Sequence, residues 1–169
     1  MSGNERAGGR ILGSLGSAGG KGVVRMEDRF DTDIDDLWSA LTDPERLASW
    51  VGKITGDLRP GGEFHGSLTS GWEGVSRVEE CQAPWRLLLT MDLDAPGEIE
   101  VMLTADGDQT NVVIEQREVS LDYLAAFGAG MQVHAEDLGA HLAGRDRCDI
   151  KARWDELIPS YKDLASKIG

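Results

Sequence analysis

Residues 30–50 read FDTDIDDLWSALTDPERLASW, and the order of residue types in them dictates two short helices set end to end. Ile34, Leu37, Trp38 and Leu41 recur at i, i+3, i+4 and i+7, the spacing of one helical face. Thr32 or Asp33 can cap that helix, and the carboxylates of Asp33, Asp35 and Asp36 oppose the positive end of its dipole. Pro44 stops it at Asp43. A second helix then runs from Pro44, at its first position, through Leu47 to Trp50. The pair forms a bracket too acidic to sit on DNA, so it speaks for a fold and not for a chemistry.

On the N-terminal side, the first 22 residues hold eight glycines and three serines, a composition that supports no packed core. Residues 1–9 are expected to be a disordered tail. Arg10–Leu15 can pair with Val23–Phe30 across the glycine-rich turn between them. On the C-terminal side, Pro60-Gly61-Gly62 is a turn signal leading into a strand over Glu63–Leu68. Strands are expected over Gly74–Cys81, Arg86–Leu93 and Glu98–Ala105. In the last, Ile99, Val101 and Leu103 alternate with Glu98, Glu100 and Thr104, so one side of the sheet faces water. Asp106-Gly107-Asp108 turns the chain into a returning strand over Thr110–Gln116.

The period then changes. Leu124, Phe127, Met131, His134 or Ala135, Leu138 and Leu142 recur at three and four, which describes a long amphipathic helix ended by Gly144. After it, Trp154, Leu157, Ile158, Tyr161, Leu164 and Ile168 form another stripe, with Pro159 kinking or dividing it. That stripe needs covering, either by the outside of the same domain or by a second copy of the chain in a homodimer. The element order gives an α+β domain in which a curved antiparallel sheet wraps the long helix. Domain limits of 10–144, followed by a helical extension over 145–169, follow from this reading.

The chain of 169 residues has a net charge of −13, which repels phosphate backbones and anionic membrane surfaces. Nucleic acid and membrane are therefore excluded as partners. Eight acids fall between Glu27 and Glu45, and seven lie after Arg86 and before Arg117 with no Lys or Arg among them. Solubility explains them better than a docking surface for a basic partner. No hydrophobic run reaches the roughly 18 residues of a membrane helix, and no signal peptide opens the chain, so a cytoplasmic location is expected. Cys81 and Cys148 do not make a disulfide framework.

Phe30, Trp38, the run Ala40-Leu41-Thr42-Asp43-Pro44-Glu45, Leu47, Trp50, Arg59-Pro60-Gly61-Gly62, Gly74 with Val78, Pro84 with Arg86-Leu87, and Gly107 with Thr110 carry a family resemblance. The chain from about Gly22 to Leu142 resembles the activator of Hsp90 ATPase homologue 1-like branch of the START-like (SRPBCC, Bet v 1-like) superfamily. The resemblance implies a helix-grip fold with a deep apolar cavity between the sheet and the long helix. It does not imply one activity. Members of the superfamily bind lipids, steroids and polyketides, some cyclise or hydrolyse small molecules, and the eukaryotic namesake acts on a chaperone. The chain departs from many relatives at Met131, where they carry Trp after Gly.

Inside such a cavity the sequence offers few reactive groups. His134, Asp137 and His141 stand at i, i+3 and i+7, but imidazoles seven residues apart are about 10 Å apart along the axis, too far to share one metal. No metal and no cofactor are expected. His134 falls on the apolar stripe, where it is either a satisfied core histidine or a polar group facing the ligand, and His65 carries the same choice. His141 is expected to face solvent. Trp50, Trp72 and Trp85 fall at loops or strand ends near the expected cavity mouth. Met91, Met102 and Met131 offer a soft lining. The expected ligand contacts are Trp50, Phe64, His65, Trp72, Met91, Met102, Phe127, Met131 and His134, with no residue assigned to catalysis. The function so implied is the binding of a small hydrophobic or amphipathic molecule, lipid- or polyketide-like. A cyclase or hydrolase using the cavity histidines and a co-chaperone acting through its acidic surface are the alternatives.

Overall fold

The computed structural model describes residues 11–94 and 97–168; the expected tail over residues 1–9 lies outside them. Among the described residues an eight-stranded, curved, wholly antiparallel sheet packs with four α-helices. The strands are β1 (Gly13–Ala18), β2 (Lys21–Phe30), β3 (Gly52–Gly56), β4 (Glu63–Leu68), β5 (Glu73–Gln82), β6 (Arg86–Thr90), β7 (Glu98–Asp106) and β8 (Gln109–Val119), and they stand in the order β1-β2-β8-β7-β6-β5-β4-β3. The helices are α1 (Ile34–Thr42), α2 (Pro44–Trp50), α3 (Leu124–Leu142) and α4 (Ile150–Ser166). This is the α+β helix-grip architecture.

The two-helix bracket forms as its sequence dictates. Asp33 caps α1 by accepting from the Asp36 amide, and Asp43 closes α1 and caps α2 by accepting from the Glu45 amide, with Pro44 at the first turn. The N-terminal hairpin is tighter than expected. Gly19 and Gly20 both have positive φ, of 60° and 82°, so a two-residue turn joins β1 to β2 and sets Ser14 opposite Arg25. Strand β3 was not foreseen; it has one half-buried apolar residue, Ile54, and owes its place to pairing with β4.

Sheet faces are set by period two, broken at one useful place. Ser76 and Val78 of β5 face inward, and the register then slips between Val78 and Glu80. The slip brings Cys81 to the inner face and turns Glu80 outward, where it meets Arg86. The outer face is a ladder of charges, in which Glu100 bridges Arg86 and Arg117, and Arg117 also bonds Glu115.

Helix α3 is covered on two sides. Its concave-side residues, with Leu138 fully buried, face the main core. Its other face, with Ala129 and Val133, packs against Leu157 and Tyr161 of α4. The terminal stripe is thus covered by the chain's own long helix, and Tyr161 also reaches β1. Pro159 does not divide α4, which runs unbroken through it. Pro159 and Asp155, four residues before it, are both exposed, so the carbonyl that loses its donor can turn to water. No described helix is long and apolar enough to cross a membrane.

Candidate functional site

Between the concave face of the sheet and α3 lies a cavity of about 880 Å³. Four groups of elements build its wall. Inward residues of β4 to β8, from Phe64 and Val78 through Leu87 and Leu89 to Val101 and Ile114, form the floor. Trp38, Leu41, Leu47 and Trp50 of the helical bracket close one side, Phe127, Met131, His134 and Leu138 of α3 form the roof, and Ile150, Lys151, Trp154 and Asp155 of α4 reach one rim. The wall is mostly hydrocarbon and aromatic, the make-up of small-molecule sites.

Seven of the nine expected contacts meet at this cavity: Trp50, Phe64, Trp72, Met91, Phe127, Met131 and His134. Trp50 is buried, with Nε1 donating to the Ala40 carbonyl at 2.9 Å. Phe127 is partly exposed at the mouth, beside the more exposed Tyr123. Trp72 lies across the cross-strand pair Gly66 and Gly74; a Cβ at Gly74 would stand 2.8 Å from its Cζ2. Those glycines leave the space that lets the indole lie flat on the sheet.

The other two do not reach it. His65 follows Phe64 on β4, and because Phe64 points inward His65 points outward, where Nε2 meets Glu73 at 3.0 Å. Met102 sits between buried Val101 and Leu103, and so lies on the outer face in register with Arg86 and Val113. Trp85 is exposed at the β5–β6 turn and does not line the cavity. His141 is half-buried, not solvent-facing: its Nε2 accepts from Arg46 Nε at 3.1 Å, and Arg46 also bonds Asp36. Burial, and secondarily the Arg46 charge, lowers the His141 pKa.

The polar groups of the wall divide into spent and unspent. Thr42 Oγ1 donates to the Trp38 carbonyl at 2.8 Å, and Ser76 Oγ donates to the Met91 carbonyl. His134 Nε2 lies 3.0 Å from Ser70 Oγ in the β4–β5 turn. Burial pushes the His134 pKa down to about 4, so the ring is neutral at pH 7. Gln116 lines the cavity from β8 and makes no side-chain hydrogen bond among the described residues. Ser70 and Gln116 were not foreseen. Gln116 carried a signal, since it stands two residues after Ile114 on an inward-facing row; Ser70, in a turn, carried none. Burial raises the pKa of the Cys81 thiol, which keeps it protonated and a weak nucleophile.

The sequence model of the family described as activator of Hsp90 ATPase homolog 1-like protein matches residues 31–143. No curated protein matches the chain. Among solved structures, CalU16 from Micromonospora echinospora is similar with a TM-score of 0.75 and 25% identity, over 92% of this chain and 98% of that one. The protein encoded by BPP1335 from Bordetella parapertussis is similar at 0.68 and 19%, over 92% of each chain. DynU16, of the dynemicin biosynthetic locus, is similar at 0.68 and 22%, over 75% of this chain and 50% of that one. The last two likenesses bear on the fold alone.

Proposed function

The chain belongs to the activator of Hsp90 ATPase homologue 1-like family, and from that premise we propose that it binds a small hydrophobic or amphipathic molecule in the cavity between its sheet and α3. The observation that carries this reading is the cavity itself: about 880 Å³ lined by aromatic and aliphatic side chains of the sheet and of all four helices. A void of that size in a domain this small forgoes a large amount of packing, since interiors are otherwise close-packed. A ligand that fills it restores those contacts. Trp50, Phe64, Trp72, Met91, Phe127 and Met131 supply apolar area, and His134 contributes polarity at one end.

The cyclase or hydrolase alternative loses support from the geometry. That alternative takes His65 and His134 together as acid and base, and His65 lies on the outer face against Glu73. The co-chaperone alternative gains no specific contact.

Native mass spectrometry of the protein purified from its own host tests the proposal. The expected result is an additional non-covalent mass, released on denaturation and absent from Met131→Trp, whose larger side chain intrudes on the space. Wild-type protein that carries no such mass and gives no fluorescence with the apolar probe diphenylhexatriene overturns it.

A further inference from the structure

His134 and Ser70 define what one end of the cavity can recognise. The ring nitrogen Nδ1 of His134 is buried and has no partner, while Nε2 faces Ser70 Oγ at 3.0 Å. A neutral imidazole has one N–H, and a buried N–H without an acceptor is rarer and more costly than an idle lone pair. The hydrogen therefore sits on Nε2 and is donated to Ser70 Oγ. The Ser70 hydroxyl, exposed on the cavity wall, is left with its own hydrogen to give. It is a donor, held in place by the histidine behind it.

A second polar end stands several strands further across the same concave face. Gln116 lies on β8, three and four strands away from β5 and β4, whose turn carries Ser70. At about 4.8 Å per strand this is roughly 14–19 Å measured along the sheet, less across its concave face. Its amide offers one donor group and one acceptor with no protein partner among the described residues. Between the two ends the wall is mostly hydrocarbon and aromatic ring, and the polar hydrogens of Thr42, Trp50 and Ser76 are already given to backbone carbonyls. Among the described residues, the charges at the rim are Lys151 and Asp155, paired with each other at 2.8 Å, so they offset one another and the lining carries no net charge.

Resting on the reading of this cavity as a ligand site, we propose that it takes a neutral, elongated molecule with an apolar middle and an oxygen at each end. A hydrogen-bond acceptor such as a carbonyl docks on Ser70, and a hydroxyl, which both gives and accepts, docks on Gln116.

Displacement of diphenylhexatriene by methyl dodecanoate and by methyl 12-hydroxydodecanoate separates the parts of this proposal. The first ester has a carbonyl at one end only; the second adds a hydroxyl at the other. In the wild type the hydroxy ester binds about fivefold tighter than the plain ester, the worth of one net hydrogen bond. Ser70→Ala weakens both esters by a similar factor, Gln116→Met removes only the advantage of the hydroxy ester, and both variants bind diphenylhexatriene as the wild type does. Equal binding of the two esters by the wild type, or esters indifferent to both substitutions, overturns the proposal while leaving the cavity reading intact. A variant that also loses diphenylhexatriene assigns that residue to wall packing and overturns its polar role. Failure of the wild type to bind diphenylhexatriene at all defeats the cavity reading itself.

Discussion

Tyr161 of α4 donates its phenolic hydrogen to Gln132 Oε1 of α3 at 2.6 Å, and the same hydroxyl accepts from the Gly13 amide of β1 at 3.0 Å. Gln132 Oε1 also accepts from the Leu12 amide at 3.0 Å. One cluster, with Tyr161 and Gln132 fully buried at its centre, therefore ties the first strand, the long helix and the last helix together. The close approach depends on Gly128, where a Cβ would stand 2.6 Å from Tyr161 Cδ1. Burial raises the phenol's pKa to about 12, so it remains a donor at any ordinary pH.

Tyr161→Phe keeps the ring and removes both bonds, leaving the Gly13 amide without its acceptor. The expected loss is about 1–3 kcal/mol in urea unfolding, with faster amide exchange at Gly13. Unchanged stability together with unchanged exchange at Gly13 would show that the cluster does not hold the strand.

The neutral His134 makes stability depend on pH with a fixed sign. In the unfolded chain the imidazole takes up its proton near pH 6.5, and in the folded protein only near pH 4. Between those values the unfolded state binds more protons, so stability falls as pH drops from 6.5 to 4, by up to about 3 kcal/mol, and is fully present above 6.5. Asp137 works in the opposite sense: burial raises its carboxyl pKa, so protonating it favours the folded state as pH falls. Comparing His134→Gln with wild type isolates the histidine, because the Asp137 contribution is common to both. The variant should lose less stability between pH 7.5 and 4.5 than the wild type; identical losses would refute the assignment.

Local chemistry made the helical bracket readable, since Asp33, Asp43 and Pro44 act within a turn of where they stand. The faces of strands were readable in principle too. Phe64 and His65 are neighbours, as are Val101 and Met102, and period two forbids both members of either pair from facing one cavity. Where the polar residue of such a pair goes is settled by the alternation. What covers α4 was not legible, because the surface that receives it is made of Gly128, Ala129, Gln132 and Val133, which read singly as small, polar or neutral. Strand β3 was hidden for a related reason: its stability comes from β4, not from its own residues. Ser70 acquires a role only when a turn brings it to a helix 64 residues away.

Gly74→Ala tests the placement of Trp72. With a methyl group directed at the indole 2.8 Å away, the ring must lift from the sheet into the cavity. Diphenylhexatriene affinity should drop several-fold for a stability change of about 1 kcal/mol, and the Trp72→Phe background should abolish that sensitivity. Wild-type probe affinity in Gly74→Ala would place the indole elsewhere.

A partly hollow interior predicts that equal truncations have unequal effects. Leu41, which the helical pattern alone marks as solid core, lines the cavity, whereas Leu37 on the same helix is fully buried and does not. Leu37→Ala removes a side chain packed on all sides and should lower stability by about 2–5 kcal/mol while leaving diphenylhexatriene affinity unchanged. Met131, half-exposed to the cavity, has fewer contacts to lose, so Met131→Ala should lower stability by only about 1 kcal/mol. Phe127→Ala, at the mouth, should behave likewise, and both should weaken the probe. The contrast within the set is the decisive quantity, measured by urea unfolding and probe titration on the same samples. Similar losses of stability at Leu37, Phe127 and Met131, with no probe bound by the wild type, would mean that the interior is filled in solution and that the ligand-binding assignment fails.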